Sequence, residues 1–179
     1  MKKTLSKARV KADNIYLVGF MGTGKSAVGR LIAKKNKFQF VDLDELIELR
    51  QKRLISDIFA KDGEAYFRKV ERQALRDVSC ERHFVVACGG GIVIDPDNMN
   101  TMKNTGRVIC LSATAEAILK RTSGCSHRPL LNVKDPKKQI ELLLKLRAPY
   151  YAAADKVIDT TRLSLKQVAD KITRLIGGK

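Results

Sequence analysis

No apolar run in this chain approaches the roughly 18 to 20 residues that a membrane-spanning helix needs. Residues 1–13 are basic but contain no apolar stretch that could form the core of a signal peptide, so a cytoplasmic protein with no membrane partner is expected. Cysteine and histidine are sparse. Cys80, Cys88, Cys110 and Cys125 are scattered without C-x-x-C spacing, and His83 and His127 are the only histidines. A structural zinc site needs a tighter ligand cluster, so free, reduced cysteines are expected. Cys88 and Cys110 fall in strand-like apolar runs, where cysteine behaves as a small hydrophobe. Acidic residues are also few: 19 Asp and Glu face 35 Lys and Arg, for a formal net charge of +16. Such an excess suits polyanions, nucleotides and nucleic acids alike. The competing reading spreads the cations over solvated helix faces, as with Lys34, Lys35 and Lys37 near a helix end, where they complement the dipole. No motif for base stacking or groove reading is present. Nonspecific contact with nucleic acid at low salt is therefore expected, and a specific nucleic-acid partner is not.

What is present is an ordinary globular composition, 44% hydrophobic and 30% charged, over 179 residues. That length suits a single domain with one core, expected as a monomer. Residues 14–19 form a short apolar run opening into a glycine-rich turn, which reads as a buried strand, and helical periodicity follows over 26–35. Further strands are expected at 38–41, 84–88, 107–111 and 156–159. Helices are expected at 44–51, 56–79, 115–121 and 135–154. Asp95-Pro96 and Asp135-Pro136 each place an N-cap before proline at the first helical position, and Ser164 with Gln167 forms a capping box for the last helix. Strands alternating with helices argue a parallel sheet covered on both faces. Residues 122–133 lack periodicity and read as a loop, and residues 1–13 as a disordered basic tail before one domain over 14–179.

Residues 19–26, GFMGTGKS, fit the phosphate-loop pattern G-x-x-x-x-G-K-[ST], placed between an expected strand and an expected helix. In such a loop the glycines let backbone N–H groups curl around phosphates, and the helix N-terminus adds a favourable dipole. Lys25 is then positioned for the β- and γ-phosphates and the Ser26 hydroxyl for Mg²⁺. The second strand ends in Asp42-Leu-Asp44, and two carboxylates at i and i+2 on a strand share a face. One is suited to Mg²⁺ and the other to accepting a hydroxyl proton; the bland alternative is an acidic pair at a helix N-terminus.

Beyond the phosphate loop, the chain carries Gly29-Arg30, Asp42 and Asp44, Ile58-Phe59, Gly63-Glu64, Phe67-Arg68 with Glu71, the triplet Gly89-Gly90-Gly91, Arg128-Pro129-Leu130-Leu131, and Arg147, Pro149 and Tyr151. Over nearly its whole length, from about residue 14 to the last helix, this ordered set resembles the shikimate kinase family. The resemblance implies an α/β three-layer P-loop NTPase fold with a five-stranded parallel sheet in the order 2-3-1-4-5 and a mobile lid over about 122–133. It implies phosphoryl transfer from ATP to the 3-hydroxyl of shikimate, with Mg²⁺, as a step of aromatic amino acid biosynthesis. It assigns Asp44, Arg68, Gly90 and Arg147 to shikimate, and Ser26 and Asp42 to Mg²⁺. The phosphates fall to Gly22, Thr23, Gly24, Lys25, Ser26 and Ala27, the adenine side to Arg121 and Arg162, and the transferring phosphate to the lid residue Arg128. Lys25, Asp44 and Arg128 would carry catalysis. Cys88 stands before the glycine triplet where the family often has Ser or Thr.

Other readings stay open on the residues alone. A gluconate-kinase-like enzyme shares the phosphate loop, and a nucleic-acid-associated NTPase would use the excess charge. Arg68 on a helix is also suited to pairing with Glu64 or Glu71 in a purely structural role.

Overall fold

The computed structural model describes residues 14–123 and 133–177 of the chain. Residues 1–13, and with them the expected basic tail, lie outside the described residues, as does most of the expected lid, Arg128 included. Among the described residues five strands are present: β1 (Asn14–Val18), β2 (Gln39–Asp42), β3 (Phe84–Ala87), β4 (Gly106–Ser112) and β5 (Lys156–Asp159). They form one parallel sheet in the order β2-β3-β1-β4-β5. Seven α-helices among the described residues connect and cover them: α1 (Lys25–Asn36), α2 (Leu43–Gln51), α3 (Ile55–Ser79), α4 (Pro96–Thr105), α5 (Ala115–Thr122), α6 (Pro136–Ala152) and α7 (Leu165–Gly177). No helix among the described residues is long and apolar enough to cross a membrane.

The central strand shows why the fold has three layers. Side chains alternate across a strand with period two. Ile15 and Leu17 enter one apolar cluster with Val28, Ile32, Val168 and Ile172 of α1 and α7. Tyr16 and Val18 enter the other, with Leu43, Leu75 and Ile118 of α2, α3 and α5. Both faces of β1 are buried, which a polar-alternating strand would not tolerate. The capping signals act as read from the sequence. Asp95 and Asp135 accept from the backbone N–H groups of Asp97 and Lys138. Ser164 and Gln167 exchange reciprocal bonds of 2.9 and 3.3 Å.

Two local expectations are corrected. The helix expected to run unbroken over 56–79 is interrupted at Gly63, whose φ of 79° and ψ of 174° are not helical. Nothing crowds this position, so glycine is needed there for its backbone angles and not for space. Asp44 is not a strand residue: β2 stops at Asp42, whose Oδ1 accepts from the Asp44 N–H (3.0 Å) and starts α2.

At the N-terminal end of the sheet, the fully buried Tyr16 hydroxyl is bonded to Ser79 Oγ (2.9 Å) and Thr105 Oγ1 (2.8 Å), tying α3 and α4 to β1. Tyr16→Phe strands the Ser79 hydroxyl, Thr105 keeping its bond to the Thr101 carbonyl, and should cost about 1–3 kcal/mol, read as a fall in Tm of several degrees with kcat unchanged. An unchanged Tm would show that water replaces the bond.

Candidate functional site

Because the strands are parallel, their C-terminal ends collect at one edge, and the chain turns to opposite sides of β1 on leaving β1 and β3. A crevice forms where the strand order reverses, and ligands of open α/β sheets bind there. The phosphate loop lies in this crevice. Between β1 and α1, Gly19, Gly22 and Gly24 take φ values of 132°, 78° and 95°, a region costly for any side chain. At Gly19 a Cβ would also lie 2.2 Å from the Leu111 carbonyl oxygen. The Lys25 ammonium folds back over the loop, donating to the Gly19 and Phe20 carbonyls (both 3.0 Å). Thr23 Oγ1 donates to the Phe20 carbonyl (2.7 Å). Ser26, on the first turn of α1, donates its hydroxyl to Asp42 Oδ2 (2.5 Å).

Next to the loop, β3 ends and the glycine triplet begins. A Cβ on Gly89 would lie 2.6 Å from Glu71 Oε1 and 3.1 Å from Asp44 Oδ1; one on Gly90, 3.5 Å from Arg147 Nη1; one on Gly91, 2.6 Å from Arg68 Nη2. Two carboxylates and two guanidinium groups from α2, α3 and α6 thus converge on a stretch of bare backbone. Arg147 also stacks its guanidinium over Phe20 of the phosphate loop, 5.8 Å from the ring centre. Tyr151, one turn further along α6, donates its hydroxyl to the Gly90 carbonyl (2.7 Å), and burial pushes its phenol up to about 12.

Arg68 is held from two sides, by Glu71 Oε2 at 2.7 Å and by the more exposed Glu64 at 2.9 Å. The structural pairing weighed from the sequence is therefore real, and it orients the guanidinium towards the triplet. Glu71 is 1% exposed, and its Oε1 has no hydrogen-bond partner among the described residues. Burial raises its pKa, against the pull of Arg68. Burial, reinforced by Asp42 and opposed by Lys25, lifts Asp44 from 3.8 to about 6. A carboxyl poised there is largely ionised at neutral pH and far more basic than an exposed aspartate.

On the other flank of the loop lies a pocket of about 220 Å³ bordered by Gly22, Gly24, Arg121, Thr160, Leu163 and Leu165. Arg121 spans it, donating to the Thr160 carbonyl (2.7 Å) and to Thr160 Oγ1 (3.1 Å). Thr160 is itself fastened to Thr23 and to the end of β4. Arg162 is exposed and stands outside this lining, near Asp159. Ala27 is exposed on the first turn of α1. Leu165 lacks any local signal in the sequence, and the loop after Asp159-Thr160 points to nucleotide without singling out Thr160. Tyr151 stands out in the sequence only as part of a motif, and Glu71 only as that and as a candidate partner of Arg68.

The arrangement is similar to known proteins throughout. The family model described as shikimate kinase matches residues 21–177. A shikimate kinase of Thermodesulfovibrio yellowstonii is 44% identical over 170 residues, covering 93% of this chain and 98% of that one. One of Caldanaerobacter subterraneus subsp. tengcongensis is 42% identical, covering 90% and 94%. The solved shikimate kinase from Acinetobacter baumannii, in complex with shikimate, superposes with a TM-score of 0.88 at 38% identity, over 92% of this chain and 93% of that one. A P-loop, a sheet in the order 2-3-1-4-5 and matches spanning nine-tenths of the sequence lead to one conclusion: the chain belongs to the shikimate kinase family.

Proposed function

We infer that this enzyme transfers the γ-phosphoryl group of ATP to the 3-hydroxyl of shikimate, giving shikimate 3-phosphate and ADP. The observation that carries the assignment of residues is the convergence of Asp44, Arg68 and Arg147 on the glycine triplet, beside the phosphate loop. Shikimate is a cyclohexene carboxylate with three hydroxyls. Planar guanidinium forks suit its carboxylate, and Arg68 and Arg147 present two of them. Gly90 leaves backbone open for the ring to approach, with its carbonyl fixed by Tyr151. Asp44 accepts the proton of the reacting hydroxyl as its oxygen attacks the γ-phosphorus and the bond to the β-phosphate oxygen breaks. Lys25, on the phosphate loop, neutralises charge on the transferring group. Gly22, Thr23, Gly24, Ser26 and Ala27 present the loop and the α1 N-terminus to the phosphates, and Arg121 borders the pocket assigned to adenosine.

Ser26 and Asp42 fit a Mg²⁺ site by their chemistry, since both offer hard oxygen donors and stand in contact beside the loop. Among the described residues no cluster of three or more His, Cys, Asp or Glu could hold a metal. An ion here would therefore complete its shell with nucleotide phosphates and water, supplying charge neutralisation between the β- and γ-phosphates. Arg128 retains its proposed role at the transferring phosphate on sequence pattern alone.

An ATP-coupled assay with shikimate, quinate and gluconate side by side tests the reading. Shikimate should be turned over, and an analogue without the carboxylate should lose most of its kcat/KM. Equal rates with gluconate would sink the assignment.

A further inference from the structure

One group of exposed cations lies at the end of the sheet away from the phosphate loop. Helices run antiparallel to the strands in this fold, so α1 and α7 both finish beside the strands' N-terminal ends, packed together through Ile32, Ala33, Ala169 and Ile172. Asn36 Nδ2 reaches Thr173 Oγ1 (3.5 Å), and the Arg107 guanidinium at the start of β4 donates to the Leu175 carbonyl (2.6 Å). These contacts bring together the chain ends that carry Lys34, Lys37, Lys171, Arg174 and Arg107, all exposed. Lys35 is matched by Asp170 at 2.8 Å, a carboxylate that also feels Arg174 and Lys166, whereas none of those five has a carboxylate at ion-pair distance among the described residues. The helix dipoles explain why cations are tolerated there but do not balance them, because each C-terminus offers about half an elementary charge. The two aspartates assigned to the reaction, Asp42 and Asp44, lie at the opposite edge, and the acids at this end are Asp155, held by the Val108 N–H, and Asp170.

We propose that the face formed by the C-terminal turns of α1 and α7 and the start of β4 binds the phosphodiester backbone of nucleic acid, independently of sequence and separately from the kinase site. Lysine and arginine pair with phosphate without reading bases, and the exposed aromatic rings among the described residues, Phe59, Tyr66 and Tyr150, are carried by α3 and α6. An anionic membrane is the poorer match. Peripheral membrane faces insert large apolar groups alongside their cations, and here Leu31 and Leu175 are only 41% and 38% exposed.

The test is fluorescence anisotropy of a labelled DNA duplex of random sequence, titrated with the full chain over about 50 to 200 mM salt. The wild type should bind with a steep negative salt slope, and saturating Mg-ATP should leave that binding unchanged. The triple variant Lys34→Gln, Lys171→Gln, Arg174→Gln touches no residue assigned to catalysis, so its shikimate kinase kcat should equal wild type. Its salt slope should flatten by about 2.7, at roughly 0.9 per lost phosphate contact, and its affinity near 150 mM salt should fall roughly 10²-fold. The proposal is overturned if the wild type fails to bind, if Mg-ATP displaces the duplex, or if the triple variant keeps its slope. Preferential binding of the wild type to phosphatidylserine vesicles over the duplex would overturn it in favour of a lipid surface.

Discussion

Asp44→Asn should lower kcat by roughly 10²- to 10⁴-fold, the range for losing a positioned general base, while ATP binding and the fold survive. The substitution leaves the backbone N–H of residue 44 bonded to Asp42, so the start of α2 is kept. Two further readings separate a catalytic from a structural loss. In the wild type, kcat/KM should fall about tenfold per pH unit below about 6, where Asp44 takes up its proton, and this limb should vanish in the Asn variant. Stability should move the other way. The folded pKa of Asp44 is raised above its unfolded value, so the group's favourable contribution is complete below 3.8 and is lost as pH rises through about 6. At neutral pH the ionised, largely buried carboxylate therefore costs on the order of 1–3 kcal/mol, and the Asn variant should have a raised Tm. An inactive variant with a lowered Tm would mean damage to the fold, and near-normal kcat would reduce Asp44 to a binding residue.

Gly91→Ala should cost about 10²-fold in kcat/KM for shikimate, with the KM for ATP unchanged. The Gly91 φ of −100° accepts alanine without strain, so the backbone does not object. The new methyl would stand 2.6 to 3.1 Å from the Arg68 guanidinium, which must swing away from the triplet. Displacing a charge-assisted carboxylate contact costs about 1.5–3 kcal/mol, equivalent to roughly 10- to 150-fold. Arg68→Lys keeps the charge but not the fork, and should weaken shikimate binding less than Gly91→Ala does. A parallel loss of ATP binding in either variant would place Arg68 on the nucleotide side. Gly90→Ala is a useful comparison. Its methyl meets Arg147 at an ordinary 3.5 Å, so any loss there reports on room for the substrate and not on a displaced arginine.

The local signals were legible because each is contained within a few residues. Three glycines at positive φ before Lys25 and Ser26 make a phosphate loop wherever a strand precedes and a helix follows. Asp95, Asp135 and Ser164 announce helix starts through bonds that span three residues at most. The sheet order came from the family resemblance and is present in the structure as expected. Where the sequence misled, tertiary context overrode a short-range pattern. Asp42 reads as a strand residue sharing a face with Asp44, yet its carboxylate is divided between the Ser26 hydroxyl and the first turn of α2.

What the sequence by itself determined, then, is the alternation of strands and helices, the phosphate loop and the helix boundaries, since these depend on φ preferences, capping and periodicity within one segment. Only the tertiary structure decided that Arg68, on α3, and Arg147, on α6, reach neighbouring glycines, and that Glu71 is buried behind Arg68 with one oxygen unpartnered. It likewise joined the last turns of α1 and α7, far apart along the chain, through Asn36 with Thr173 and Lys35 with Asp170. Those juxtapositions arise from packing helices on a twisted sheet, where separation along the chain carries no information about distance, and the electrostatics that lift Asp44 to about 6 exist only once that packing has excluded water.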